Sequence, residues 1–91
     1  MNEQVRVYVT SYCHYCDSAK RMLTAMSVPF EAIDVTNDRP TRDWLVQTTG
    51  MRTVPQIFVG GRPVGGFTDM RALHQKGAFV PLLDEAGIPH A

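Results

Sequence analysis

The hydrophobic period of this chain changes at Cys13. Before it, Val5-Arg6-Val7-Tyr8-Val9 is a short, β-branched run of the kind that forms a buried strand. After it, Cys16, Ala19, Met22, Leu23 and Met26 recur at helical spacing, while Asp17, Ser18, Lys20, Arg21 and Thr24 take the other face. Ser27-Val28-Pro29 ends that helix, because proline disfavours helical geometry in the residue before it. Phe30 to Val35 then reads as a second strand. A strand, a crossover helix and another strand make a βαβ unit, so these two strands run parallel.

The rest of the chain completes the sheet. Asn37-Asp38 offers an N-cap, Pro40 suits the first turn of a helix, and Gly50 is a left-handed residue to end it. Trp44, inside that helix, is assigned to core packing. Gln56-Ile57-Phe58-Val59 and Arg62-Pro63-Val64 flank Gly60-Gly61, a two-residue hairpin turn, and Pro63 belongs on an edge strand. After Gly65-Gly66, Thr68 can cap a last helix over 69–76, closed by Gly77. Phe79 to Leu83 reads as a short apolar turn and 87–91 as loose chain. The order βαβ then αββα predicts an α/β fold: a four-stranded mixed sheet with helices on both faces, in a single domain over 1–91.

The two cysteines, Cys13 and Cys16, are the only ones in the sequence. On a helix, three residues of rise and about 300° of rotation put their Cα atoms roughly 5 Å apart, within reach of a disulfide. Cys13 falls at the helix N-terminus, where unpaired N–H groups and the dipole favour a thiolate. Cys16, a turn deeper, would resolve a mixed disulfide formed on Cys13. Three plainer readings stand beside this one. A structural disulfide needs an oxidising compartment. A zinc knuckle needs four ligands, and only His14, His74 and His90 could add to the pair. Two inert cysteines on an apolar helix face are the third.

Nine charges of each sign leave the chain neutral, so there is no electrostatic case for nucleic acid or a membrane surface. No apolar run is long enough to span a bilayer. Nothing at the N-terminus resembles a secretory signal, which points to the cytoplasm, where a CxxC pair is more often catalytic than structural.

Three features occur in order: Cys13-His14-Tyr15-Cys16 after the first strand, Thr53-Val54-Pro55 before the third, and Gly65-Gly66-Phe67-Thr68-Asp69 before the last long helix. With them the chain resembles a dithiol glutaredoxin, of the thioredoxin superfamily, along nearly its whole length. The resemblance implies a thioredoxin-like fold and a glutathione-dependent thiol–disulfide oxidoreductase with Cys13 and Cys16 as catalytic residues. It implies a cis bond before Pro55, leaving the Thr53-Val54 backbone free to pair with the cysteinyl backbone of glutathione. It implies that Gly66, Thr68 and Asp69 hold the γ-glutamyl end, through helix N–H groups and the Asp69 carboxylate. Ordinary capping by Thr68 and Asp69 would coexist with that. Arg42 lies in the second helix where the family often places a residue that holds the glycyl carboxylate, for which a guanidinium's paired donors are suited; a solvated surface arginine is the equal alternative. Tyr15 packs beside the bound tripeptide, and Arg52 adds positive potential near Cys13.

Two departures stand out. Relatives commonly carry a lysine where this chain has Thr10, which removes one cation, so either glutathione is held more weakly or Arg42 and Arg52 compensate. Relatives of the dithiol class read Cys-Pro-Tyr-Cys, and here His14 replaces the proline. His14 regains a backbone N–H beside the Cys13 sulfur and, when protonated, adds charge there. The expectation is a lowered Cys13 pKa and a disulfide more oxidising than in a His14→Pro variant; equal reduction potentials would sink it. Some glutaredoxins lacking that proline hold a [2Fe–2S] cluster between two subunits, each giving its first cysteine and one glutathione. Cys13 would then be a metal ligand in an iron–sulfur carrier or sensor. A third reading, a thioredoxin-like donor served by a flavoenzyme, fits the Gly-Gly-Phe-Thr-Asp segment less well. The expected partners are glutathione and disulfide-containing or glutathionylated proteins, with the chain a monomer unless a cluster is bound.

Overall fold

The computed structural model describes residues 4–91. The elements are β1 (Val5–Val9), α1 (His14–Ala25), β2 (Phe30–Asp34), α2 (Arg39–Thr49), β3 (Gln56–Val59), β4 (Arg62–Gly65), α3 (Phe67–Gln75) and α4 (Phe79–Glu85). The first three residues of the expected domain lie outside the described residues. The four strands lie in the order β2-β1-β3-β4, with β1 parallel to β2 and antiparallel to β3, and β4 antiparallel to β3. The expected four-stranded mixed sheet is therefore the one formed, and Pro63 lies on the edge strand β4, where no ladder needs its missing N–H.

Strand alternation sorts the core into two. Val5, Val7, Val9, Ile57 and Val59 meet Cys16, Leu23, Met70, Phe79 and Leu83, which come from α1, α3 and α4. Tyr8 and Phe58 face the other way, against Val35 and against Leu45 of α2. Tyr8 pairs with Gln56 and Val7 with Ile57, and a one-residue slip would exchange the two cores.

This topology collects the chain's turning points at one edge of the sheet. β1 and its parallel neighbour β2 both finish there. β3, antiparallel to β1, starts there, and β4, antiparallel to β3, finishes there. The loops after β1 and β2, the loop before β3 and the turn after β4 therefore meet.

The structure corrects four expectations. Helix α3 begins at Phe67, with Gly66 rather than Thr68 as its N-cap, because Asp69 reaches back to the Gly66 N–H. The 79–83 turn is the helix α4: Pro81 lies in its first turn, where a helix has N–H groups without partners, and Phe79 and Leu83 share one buried face. Residues 87–91 are held, not loose. Ile88 is buried, the Ala91 N–H donates to the Met26 carbonyl at 2.8 Å, and His90 Nε2 lies 2.8 Å from Asp84 Oδ1. Trp44 is not core: it is 44% exposed, stacked on Phe58 at 5.7 Å as a cover over the smaller cluster.

Candidate active site

β1 leads into a turn at Ser11-Tyr12 that is tied to the loop after β2, the Ser11 N–H donating to Thr36 Oγ1 at 2.9 Å. Tyr12 has φ 57° and a fully exposed ring. Cys13 is then the N-cap of α1, with extended backbone (φ −117°, ψ 109°), and its Sγ accepts from the Cys16 N–H at 3.2 Å. Serine, threonine or aspartate usually fill this role. A thiol there puts sulfur among unpaired N–H donors at the positive end of the helix. The same Sγ lies 3.7 Å from the Val54 carbonyl, and Cys13 is partly exposed.

Cys16 is the opposite case. It is 1% exposed and packs within the larger core. Burial above all, then its hydrogen bond with Cys13, pushes its thiol up to about 12. Both cysteines are free thiols. The pair thus has one reachable sulfur and one closed off.

Around Cys13 the structure assembles most of the residues singled out in the sequence. The Val54–Pro55 bond is cis, as the resemblance implied. Val54 and Thr53 line a groove of about 550 Å³ together with Thr36, Arg39, Arg42 and Arg52. Arg42 is exposed and its Nη1 donates to the Thr36 carbonyl at 3.4 Å, which orients the guanidinium along the groove wall. On the other side of Val54, the Pro55 carbonyl approaches Gly66, where an added Cβ would stand 3.6 Å from it. Gly65 has φ 116°, and a Cβ there would collide with the Asp69 carboxylate. That carboxylate accepts from the Gly66 N–H at 2.8 Å. Tyr15 reaches across to Phe67, ring centres 6.4 Å apart, joining the first turns of α1 and α3.

Two predicted residues stand apart. Thr68 is exposed in the first turn of α3 and caps nothing, while His14 is exposed at the first helical position of α1. Reasoning from sequence also passed over Thr36, which anchors the turn before Cys13, and Gln56, which opens β3. The signal for Gln56 was present: a polar residue at the head of an apolar strand, directly after Pro55. A second groove, of about 630 Å³, runs between β4, α3 and α4 past Val64, Leu73 and Leu82. It holds none of these residues.

The glutaredoxin family model matches residues 5–64. This chain belongs to the glutaredoxin family. A glutaredoxin of Vernicia fordii is 36% identical over 89 residues, covering 94% of this chain and 86% of that one. Glutaredoxin 3 of Escherichia coli strain K12 is 34% identical over 79 residues, covering 87% and 95%. The crystal structure of a buckwheat glutaredoxin–glutathione complex superposes with a TM-score of 0.87 at 31% identity, over 93% of this chain and 80% of that one. Family membership brings the thioredoxin-like α/β fold and the general activity of a thiol–disulfide oxidoreductase. Among the described residues no helix is long and apolar enough to cross a membrane.

Proposed function

We propose that this chain uses glutathione to reduce glutathione mixed disulfides and protein disulfides. The observation that carries the reading is the inequality of the two sulfurs. Cys13 Sγ lies at a helix N-terminus, reachable and beside the Val54 backbone, with Cys16 buried one turn below.

The chemistry follows from those positions. Cys13 thiolate attacks a glutathionylated protein at the glutathionyl sulfur. The protein sulfur leaves and takes a proton from water, and Cys13 carries the glutathione. A second glutathione thiolate attacks that glutathionyl sulfur, giving glutathione disulfide and restoring Cys13. With a protein disulfide, Cys13 forms a mixed disulfide with one protein sulfur. Cys16 then attacks Cys13 Sγ, expels the protein thiolate and leaves the Cys13–Cys16 disulfide, and two glutathiones return the pair to thiols. Each cycle moves two electrons from glutathione to the substrate.

The groove suits the tripeptide. Beside Cys13 the Val54 N–H has no acceptor among the described residues, and Arg42 and Arg52 supply cations for the glycyl carboxylate. Across Val54, the first turn of α3 offers N–H groups for the γ-glutamyl carboxylate. Asp69, already engaged by the Gly66 N–H, has its second oxygen for the ammonium group. Tyr15, tilted at 34° against Phe67, walls the space between. Its work belongs in a reducing compartment, the cytoplasm, where glutathione keeps the pair reduced.

One chain offers a [2Fe–2S] cluster a single accessible sulfur, Cys13, with Cys16 closed off, so a cluster would need a second copy of the chain and two glutathiones to complete its ligands. A brown dimer on anaerobic purification would establish that reading.

The test is turnover of a small glutathione mixed disulfide, coupled to glutathione reductase, by wild type, Cys13→Ser and Cys16→Ser. Activity in wild type and Cys16→Ser but not in Cys13→Ser is expected. A wild type that accepts no electrons from glutathione refutes the proposal.

A further inference from the structure

Gln56 is the one buried polar side chain among the described residues, at 2% exposure, and all its hydrogen bonds go to the segment before Pro55. Its Nε2 donates to the Met51 carbonyl at 2.8 Å and to the Thr53 carbonyl at 3.0 Å. Its Oε1 lies 2.9 Å from the hydroxyl of Thr49, the last residue of α2, whose one proton is shared with the Leu45 carbonyl at 2.8 Å and which accepts from the Met51 N–H at 3.1 Å. Two carbonyls at one end of the amide and a hydroxyl at the other decide which end is which.

Peptide stereochemistry turns this anchoring into an effect on the groove. A planar trans peptide holds its C=O and N–H on opposite sides. The Thr53–Val54 bond is trans, the cis bond being the next one. Drawing the Thr53 carbonyl onto Gln56 therefore turns the Val54 N–H away from that amide, on a residue that lines the groove and whose carbonyl lies beside Cys13 Sγ. Drawing in the Met51 carbonyl does the same for the Arg52 N–H. Neither N–H has an acceptor among the described residues. A loop free to rotate its peptide planes would lose both orientations; the side chain that fixes them lines the base of the same groove at 2% exposure.

We infer that Gln56, steadied by Thr49, is a positioning residue that presents the Val54 and Arg52 N–H groups to the backbone of bound glutathione. The inference rests on the proposed reading of the groove. Leaving the two carbonyls unpaired would also loosen the loop, so the test must separate aim from stability.

The experiment compares wild type with Gln56→Met, which keeps the shape and loses the amide. Thr49→Val leaves both Gln56 donors but frees the other end. Gln56→Glu keeps the acceptor and sets a carboxylate against two carbonyls. Gln56→Met raises the KM for glutathione about fivefold, the worth of one well-placed neutral hydrogen bond. Alkylation of Cys13 by iodoacetamide stays within about twofold, because the helix that holds its sulfur is untouched. Thr49→Val gives a smaller rise, and it carries the test if Gln56→Met does not fold. Gln56→Glu binds glutathione better as the pH falls and protonation restores one donor. A folded Gln56→Met with unchanged KM, or with KM and alkylation altered together, overturns the inference. Amide hydrogen exchange gives a reading independent of turnover. Changes confined to Val54 and Arg52 in Gln56→Met support the anchoring even if wild type proves indifferent to glutathione, which would refute the proposed function alone. Changes spread evenly over the loop and β3 refute the anchoring itself.

Discussion

In the reduced protein Cys16 should resist alkylation far more than its chemistry as a thiol allows. A cysteine at its ordinary value of 9.0 is about one-tenth ionised at pH 8, and one held at about 12 is ionised to about one part in ten thousand. The thousandfold loss of thiolate is partly offset, because a more basic thiolate is the better nucleophile. With a Brønsted slope of about 0.4–0.5 the offset is about 15- to 30-fold. The net expectation is alkylation about 30- to 60-fold slower than for the same cysteine in the unfolded chain. Burial to 1% exposure slows it further. The assay is iodoacetamide labelling at pH 8 with peptide mapping by mass spectrometry, in native buffer and in denaturant. A native Cys16 labelled within a few-fold of the unfolded rate would refute the reasoning. Because burial is the larger cause and Cys13 the next, Cys13→Ser should bring Cys16 part of the way back down, followed by thiolate absorbance. A thiol raised in the folded state contributes fully below 9.0, and that contribution is lost as pH climbs toward about 12. The reduced protein therefore weakens in alkali more than Cys16→Ala does.

Three other outcomes are expected. Gly65→Ala puts a Cβ into the Asp69 carboxylate at a φ of 116°; it should cost about 1–3 kcal/mol in urea unfolding and raise the KM for glutathione by dislodging Asp69 from the Gly66 N–H. Ile88→Ala should cost about 2–4 kcal/mol by denaturant titration, since Ile88 is buried in the main core and not part of a loose tail. The hydrogen bond to Asp84, with that to the Ala91 carbonyl behind it, raises His90 above 6.5. Its contribution is present below that value and fades as pH rises through the folded pKa. The melting temperature of wild type should therefore lose ground to His90→Ala as pH rises above 6.5.

The strands and the first two helices were legible because each announces itself locally. A β-branched run, a helical repeat, Pro40 and Gly50 need no knowledge of distant residues, and Gly60-Gly61 turns as its φ values of 57° and 81° require. What was misread depended on partners far along the chain. Thr68 looks like a cap until Asp69 is seen reaching back to Gly66. Ile88 and His90 look like a tail until the core and Asp84 are in place around them. Trp44 carries the composition of a core residue, yet the second face has room only for Tyr8, Val35, Leu45 and Phe58 beneath it. The residues of the candidate site are legible by motif; Gln56 is legible as a polar residue heading an apolar strand, but not the Met51 and Thr53 carbonyls it binds, which only the folded loop brings to it.

Three helix N-termini lie at the edge of the sheet where the loops meet, and the chain answers two of them with carboxylates. Asp38 Oδ1 accepts from the Thr41 N–H of α2 at 3.1 Å, and Asp69 Oδ2 accepts from the Gly66 N–H at the head of α3 at 2.8 Å. At α1 the same function falls to the sulfur of Cys13. A position that seeks a hydrogen-bond acceptor is thus filled by the atom that does the chemistry, so what places the sulfur is ordinary capping. This makes Cys13→Ser a clean variant. The hydroxyl is a better N-cap acceptor than a thiol and restores what the helix needs. Its melting temperature should equal or exceed that of the reduced wild type while turnover vanishes. A Cys13→Ser protein that is inactive and also unstable would mean that the sulfur holds the fold as well as the reaction, and the separation between capping and chemistry drawn from this geometry would be wrong.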